Sequence, residues 1–178
     1  MPTTKGFFSP RNMKKVHAYG IEANAHASVT INRDWLLKAN GSMSWTPSVN
    51  RGDKLSDDDM SIGKQLPYVP VRSASMTVLL SWRTWSVLYK WCHYSQRFTM
   101  SSNEHTLTGK LPAYYMNNIS VEKSMSFKPA DVSLKLAVNN LFNEDYLSVL
   151  SHPMPGINFE LFISITPKFS FRKTKDIQ

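Results

Sequence analysis

The residues able to do chemistry are sparse and do not converge. His17, His26, His93, His105 and His152 are scattered, with none of the short spacings that bring two imidazoles to one metal. Cys92 is the only cysteine, so no intrachain disulfide can form, and no nucleophile signature surrounds it. Asp57-Asp58-Asp59 could hold a cation. A calcium loop, however, needs ligands at alternate positions and a glycine at its bend, so a solvated acidic turn is the better reading. Asn40-Gly41-Ser42 and Asn118-Ile119-Ser120 match the glycosylation sequon, but both fall inside runs that read as strands. No catalytic residue, cofactor or metal is expected, and the protein is not expected to be an enzyme. The formal charge of +8 would suit nucleic acid, but the cations are dispersed among acids and no recognition motif accompanies them. Nucleic acid is not an expected partner.

What the chain does carry is alternation. In Val132–Asn139, Val132, Leu134, Leu136 and Val138 fall on one face, and Ser133, Lys135, Ala137 and Asn139 on the other. In the closing run Ile157, Phe159, Leu161, Ile163, Ile165, Pro167, Phe169 and Phe171 share a face, with Phe162 the one intruder among Asn158, Glu160, Ser164, Thr166, Lys168 and Ser170. Successive strand side chains point to opposite sides, so this period predicts a two-faced sheet. No run of eighteen apolar residues exists, so no transmembrane helix is expected.

The same period predicts seven strands, at about 14–31, 35–46, 72–83, 85–98, 112–127, 132–142 and 157–171, with residues 1–12 as a loop. Asn40-Gly41 is a hairpin signal, but the alternation continues through it and a single strand is expected there. Lys123 falls on the apolar face of its strand; a bulge, or snorkelling toward the nearby turn, would accommodate it. The predicted connections alternate between short (32–34, 83–84, 128–131) and long (47–70, 99–111, 143–156). Trp35 and Trp45 lie at the two ends of one face, about ten residues or roughly 33 Å of extended chain apart. Tilted by about 45°, that spans about 23 Å, close to the apolar band of a bacterial barrel. Trp82 and Trp85 bracket a tight turn, as boundary aromatics would.

The stretch Val138-Asn139-Asn140-Leu141-Phe142-Asn143-Glu144-Asp145-Tyr146, followed by Met154-Pro155-Gly156 and an amphipathic strand, resembles the end of TonB-dependent outer-membrane receptors. Leu66-Pro67-Tyr68-Val69-Pro70 and the Tyr19-Gly20-Ile21-Glu22 start are similar to other strand openings of that family. Ile157 stands where many members carry arginine, and seven residues follow Phe171. The resemblance implies an all-β, antiparallel transmembrane β-barrel fragment spanning residues 1–178, the C-terminal segment of the barrel. Its apolar face would meet outer-membrane lipids in the bacterial outer membrane. It further implies active uptake of a small, scarce nutrient ligand (siderophore, haem, cobalamin or glycan) driven by the TonB–ExbB–ExbD system through a plug domain that this segment lacks. Asn140, Leu141, Phe142, Tyr146, Pro155 and Gly156 form the family motif and are expected to shape the last outer loop. Tyr146, His152 and Met154 are the candidates there for ligand contact.

Two alternatives remain at this level: a passive porin-like barrel, and a soluble β-barrel with an apolar ligand inside. Seven strands with open edges would leave backbone groups unpaired in hydrocarbon, so further strands are expected to complete the wall, and transport by this segment alone is not expected. The opening PTTKGFFSPRN carries no apolar stretch of the export-signal kind, so the reading frame is expected to begin upstream of Met1.

Overall fold

The computed structural model describes residues 15–168. The expected loop at 1–12, the expected strand start near Lys14, and Phe169 and Phe171 lie outside the described residues. The described chain is all β, with strands β1 (Val16–Ala18), β2 (Ile21–Thr30), β3 (Trp35–Trp45), β4 (Ser48–Asn50), β5 (Arg72–Trp82), β6 (Trp85–Tyr94), β7 (Arg97–Phe98), β8 (Lys110–Leu111), β9 (Tyr114–Ser126), β10 (Ala130–Asn139), β11 (Leu147–Val149), β12 (His152–Pro153) and β13 (Asn158–Pro167). Seven of them form one antiparallel sheet in the order β2-β3-β5-β6-β9-β10-β13, each paired with its predecessor along the chain. Its two edges, β2 and β13, do not pair with each other, so the sheet is not closed.

The register aligns the apolar faces across the whole sheet. Val29, Leu37, Leu80, Val87, Val121, Leu136 and Leu161 stand in one cross-strand row. Ala27, Ala39, Val78, Tyr89, Ile119, Val138 and Phe159 form the next. The opposite face carries Glu22, His26, Lys38, Lys90, Glu122, Lys135 and Glu160. A one-residue slip would interchange the two faces, so the aligned rows specify the pairing. β3 runs without a break through Asn40-Gly41.

Two expected strands are shorter than the alternation indicates. The strand at 14–31 is interrupted at Tyr19-Gly20, and the one at 85–98 at Ser95-Gln96. Each interruption faces a proline. Ala18 opposite Ser48 and Ile21 opposite Trp45 keep a single register, which places Tyr19 against Pro47. Tyr94 opposite Tyr114 and Arg97 opposite Leu111 do the same, placing Gln96 against Pro112. Proline has no N–H to return to the ladder. Tyr19 N–H still reaches the Pro47 carbonyl at 3.2 Å, but Pro47 donates nothing back. The wall therefore ends at these prolines, and β1–β4 and β7–β8 continue beyond as separate arms. The expected strand at 112–127 accordingly begins at Tyr114, while 132–142 is Ala130–Asn139 and 157–171 is Asn158–Pro167 within the described residues.

Among the described residues, the buried apolar side chains are only Leu111, Tyr114 and Ala137. The apolar face of the sheet is left open: Ile21 is 71% exposed and Phe159 68%. Water is a poor solvent for such a surface, since each Å² left wet forgoes roughly 25 cal/mol.

Two polar intrusions on that face are resolved locally. Tyr89 O–H donates to Asn117 Oδ1 at 2.5 Å, so neither meets the apolar surroundings unpartnered. Lys123 sits opposite Trp85 with its ammonium 4.2 Å from the ring centroid, one residue from the tight-turn rim. Its strand keeps an unbroken register with both neighbours, so the side chain snorkels along the ring without a bulge. On the polar face the intruder Phe162 lies opposite Lys135, whose ammonium is 5.6 Å from its ring.

Candidate functional site at the loop-bearing rim

The short connections gather at one rim. Asn32 Oδ1 accepts the N–H groups of Asp34 and Trp35, closing the first turn. The guanidinium of Arg83 meets Asp34 at 3.1 Å, joining neighbouring turns, and Arg83 itself has φ 52°. Lys168 Nζ bonds Asp131 at 2.6 Å, Ser126 Oγ at 2.7 Å and the Phe127 carbonyl at 3.0 Å, which locks the third turn. Trp35, Trp82 and Trp85 stand in one row beneath these turns, with Trp35 and Trp82 stacked at 5.7 Å.

The long connections gather at the other rim and build the candidate site. Here polar groups are buried: Ser48, Asn50, Ser61, Arg97, Thr99, Ser101 and Asn140. Asn103 latches two loops, accepting the Gln65 N–H at 2.7 Å and donating to the Gln65 carbonyl at 2.9 Å. Asp59, the last of the three consecutive aspartates, accepts N–H bonds from Leu55 and Ser61 and so shapes its own turn. No cluster of metal-ligating side chains occurs among the described residues.

The last loop hangs on Asn140, which is only 3% exposed. Its φ of 50° is one that asparagine tolerates better than most residues. Its N–H donates to Asn118 Oδ1 at 2.9 Å, anchoring it to β9. Its side-chain amide donates to the carbonyls of Glu144 at 2.9 Å and Pro155 at 3.3 Å, and its Oδ1 accepts the Glu144 N–H at 2.8 Å. One amide thus clamps both ends of residues 143–156 together. Asn143 Oδ1 then accepts the Ile157 N–H at 2.9 Å, and a Cβ on Gly156 would stand 2.5 Å from that oxygen. Only glycine leaves that bond room. Phe142 is exposed and Leu141 partly buried, its N–H on the Asn117 carbonyl.

Of the three candidate ligand residues, Tyr146 packs on the wall. Its ring lies 4.7 Å from that of Tyr114, which in turn lies 5.3 Å from Tyr94. His152 and Met154 stay at the surface of the β11–β12 hairpin, where Met154 Sδ accepts from Ser148 and His152 Nδ1 lies 3.0 Å from the Leu150 carbonyl.

The alternation gives no sign of Arg97, which completes the tyrosine cluster. It is 6% exposed, lies 5.0 Å from the Tyr114 ring centroid and donates to the Leu147 carbonyl at 2.9 Å. Its Nε has no hydrogen-bond partner, and no carboxylate pairs with the guanidinium among the described residues. A buried cation held by the Tyr114 ring face and one carbonyl keeps electrostatic capacity for an anion. The signal that could have found it is the pairing partner: Arg97 faces Leu111 across the proline-broken ladder, at a position continuous with Tyr94 and Tyr114.

A family model described as TonB dependent receptor-like, beta-barrel, matches residues 1–141. Among solved structures, BauA, the ferric preacinetobactin receptor from Acinetobacter baumannii, is similar with a TM-score of 0.55 and 12% identity. The likeness covers 84% of this chain and 27% of that one, and at such identity it concerns the fold. This chain therefore spans little more than a quarter of that receptor. No curated protein matches by sequence.

Proposed function

The chain belongs to the TonB-dependent receptor-like β-barrel family, and from that premise we propose that it forms the C-terminal part of a receptor wall and three of its outer loops. The family and the BauA neighbour are transport receptors rather than enzymes, and such barrels are outer-membrane proteins of Gram-negative bacteria. In our reading, the apolar face of the seven-stranded sheet meets lipid and the polar face lines the interior. The rest of the barrel and a plug are supplied by polypeptide beyond this segment. The loop-bearing rim faces outward and contributes to capture of a scarce nutrient, with siderophore, haem, cobalamin and glycan the classes to test. TonB, with ExbB and ExbD, would act through the plug, so this segment alone does not transport.

The observation that carries the reading is the cross-strand alignment of an uncovered apolar face, with Trp35, Trp82 and Trp85 in one row at its tight-turn end. A soluble barrel would turn those side chains inward and cover them. At the rim, Arg97 with Tyr94, Tyr114 and Tyr146 favours a ligand that combines negative charge with flat unsaturated groups. His152 and Met154, on the same loop, are the more accessible contacts.

Membrane fractionation tests the first half. The protein carrying this chain should sediment with outer membranes and resist carbonate extraction. Recovery from the aqueous fraction without detergent would defeat the proposal. Uptake tests the second half: removal of residues 144–154 should abolish ligand-dependent growth while leaving the barrel in the membrane.

A further inference from the structure

A cavity of about 1080 Å³ lies at the loop-bearing rim, next to the apolar face of the wall. Its wall residues Arg72 and His93 stand in the same alternation as Ala74, Met76, Val78, Tyr89 and Trp91, the apolar face. Ser95 continues that alternation and lines it too, while Ser73 and Tyr94 of the polar face do not; Val71 and Gln96, beyond the strand ends, close its edge. The cavity therefore lies at the rim beside the outer face of the wall, just beyond His93, whose ring stacks on Tyr115 at 4.5 Å. Its lining comes from the rim ends of the central strands β5 and β6 and from the β7–β8 arm, away from the two edges of the sheet, so strands added at either edge would not cover it.

Its lining combines two chemistries. Arg72, Lys110, His93 and His105 supply cations or hydrogen-bond donors, and no carboxylate is among the lining residues. Neither Arg72 nor Lys110 has an ion-pair partner among the described residues. Phe98 and Leu107 supply the apolar part, and Leu107 is 99% exposed at the tip of the overhanging loop. An apolar side chain held clear of the protein, on the lipid side of the wall, points to a hydrocarbon surface.

Resting on the lipid-facing reading above, we infer that this cavity is a binding site for the phosphate-bearing headgroup of an outer-leaflet lipid. Arg72 and Lys110 take the phosphate, the ring of His93 forms the floor, and the acyl chains descend along the apolar rows toward Met76 and Val78. Arginine holds phosphate through paired N–H groups and lysine as a point charge, so one of each suits a headgroup seated from two sides. Basic pockets at headgroup depth recognise anionic lipids on this principle.

The test uses the intact receptor barrel that contains this chain, purified in zwitterionic detergent, with lipid binding followed by native mass spectrometry. The probes are a bisphosphorylated diglucosamine glycolipid, its dephosphorylated form, and inorganic pyrophosphate. The bisphosphorylated lipid should bind, and the double variant Arg72→Gln with Lys110→Gln should bind it about thirtyfold more weakly. The conservative pair Arg72→Lys with Lys110→Arg should retain most of the affinity. Unchanged heat-dependent gel migration checks that the variants fold. Should they not fold, the three probes on the unaltered protein still decide. Equal binding of the dephosphorylated lipid overturns the inference, because the cations then contribute nothing. Pyrophosphate binding as tightly as the lipid overturns it in favour of a free phosphate site. A barrel that sits in the membrane yet fails all three probes overturns this inference alone. A protein that needs no detergent overturns the lipid-facing reading itself.

Discussion

The two rims of the sheet are held together in opposite ways. At the tight-turn rim the polar contacts are exposed ion pairs, Arg83 with Asp34 and Lys168 with Asp131, above a row of tryptophans. At the loop-bearing rim the polar contacts include buried amides and a buried guanidinium, and among the described residues three of the six non-glycine residues with positive φ, Asn140, Asn143 and Ser151, lie in the last loop or at its start. Exposed pairs are screened by water and each contributes little. Buried amides cost more when a partner is lost, because the remaining groups are stranded. The fastenings of the tight-turn rim are thus exposed and individually weak, and those of the loop rim are more numerous and costlier to lose. Shape is held tightly in the long connections and loosely where the chain merely reverses.

Substitutions can break this contrast. The largest effect is expected from Asn140→Ala, which strands the Glu144 N–H and two carbonyls and loses the residue suited to φ 50°. We expect a cost of about 2–4 kcal/mol, read as cleavage of residues 143–156 by added protease while the wall stays resistant. A loop as resistant as before would remove the clamp from the account. Of similar size is Val78→Arg, near the middle of the apolar face, at about 2–4 kcal/mol in urea titrations of the barrel in lipid vesicles. Lys123→Arg, at the rim, should change the same titration by less than about 1 kcal/mol. If the two substitutions cost the same, the apolar face does not meet a bilayer of graded depth.

Gly156→Ala comes next. Its methyl would displace Asn143 Oδ1 from the Ile157 N–H, and about 1–2 kcal/mol is expected. The signature would be faster amide exchange at Ile157 with unaltered exchange at Leu161. The smallest effect is Asp34→Asn, which removes the ion pair to Arg83 at about 0–1 kcal/mol. A thermal midpoint shifted as far as that of Asn140→Ala would erase the difference between the rims.

The wall was legible because a strand period is strict and each face is chemically uniform. Arg72 through Trp82 alternates without exception until Leu79-Leu80, and the apolar rows follow once neighbouring strands are joined by tight turns. The strand ends were less legible. Alternation runs past Tyr19 and Ser95, and the interruption depends on a proline some sixteen or more positions away in the paired strand. The motif marked Asn140, Tyr146 and Gly156 as a group, but the clamp is a matter of which carbonyls lie within reach of one amide. Arg97 was legible only through its pairing with Leu111, because its partners Tyr114 and Leu147 lie on β9 and β11, far along the chain. The outer cavity was hidden for the same reason: alternation placed Arg72 on the apolar face, yet only the folded loop at Leu107 turns that position into an enclosure.

The prolines at 47 and 112 act as firebreaks. An arm that unzips from its free end loses its own rungs and then meets a rung already missing, so the loss need not spread into the staves of the wall. In the receptor proposed above, the outer arms can open and reclose while the seven staves keep the rungs between them.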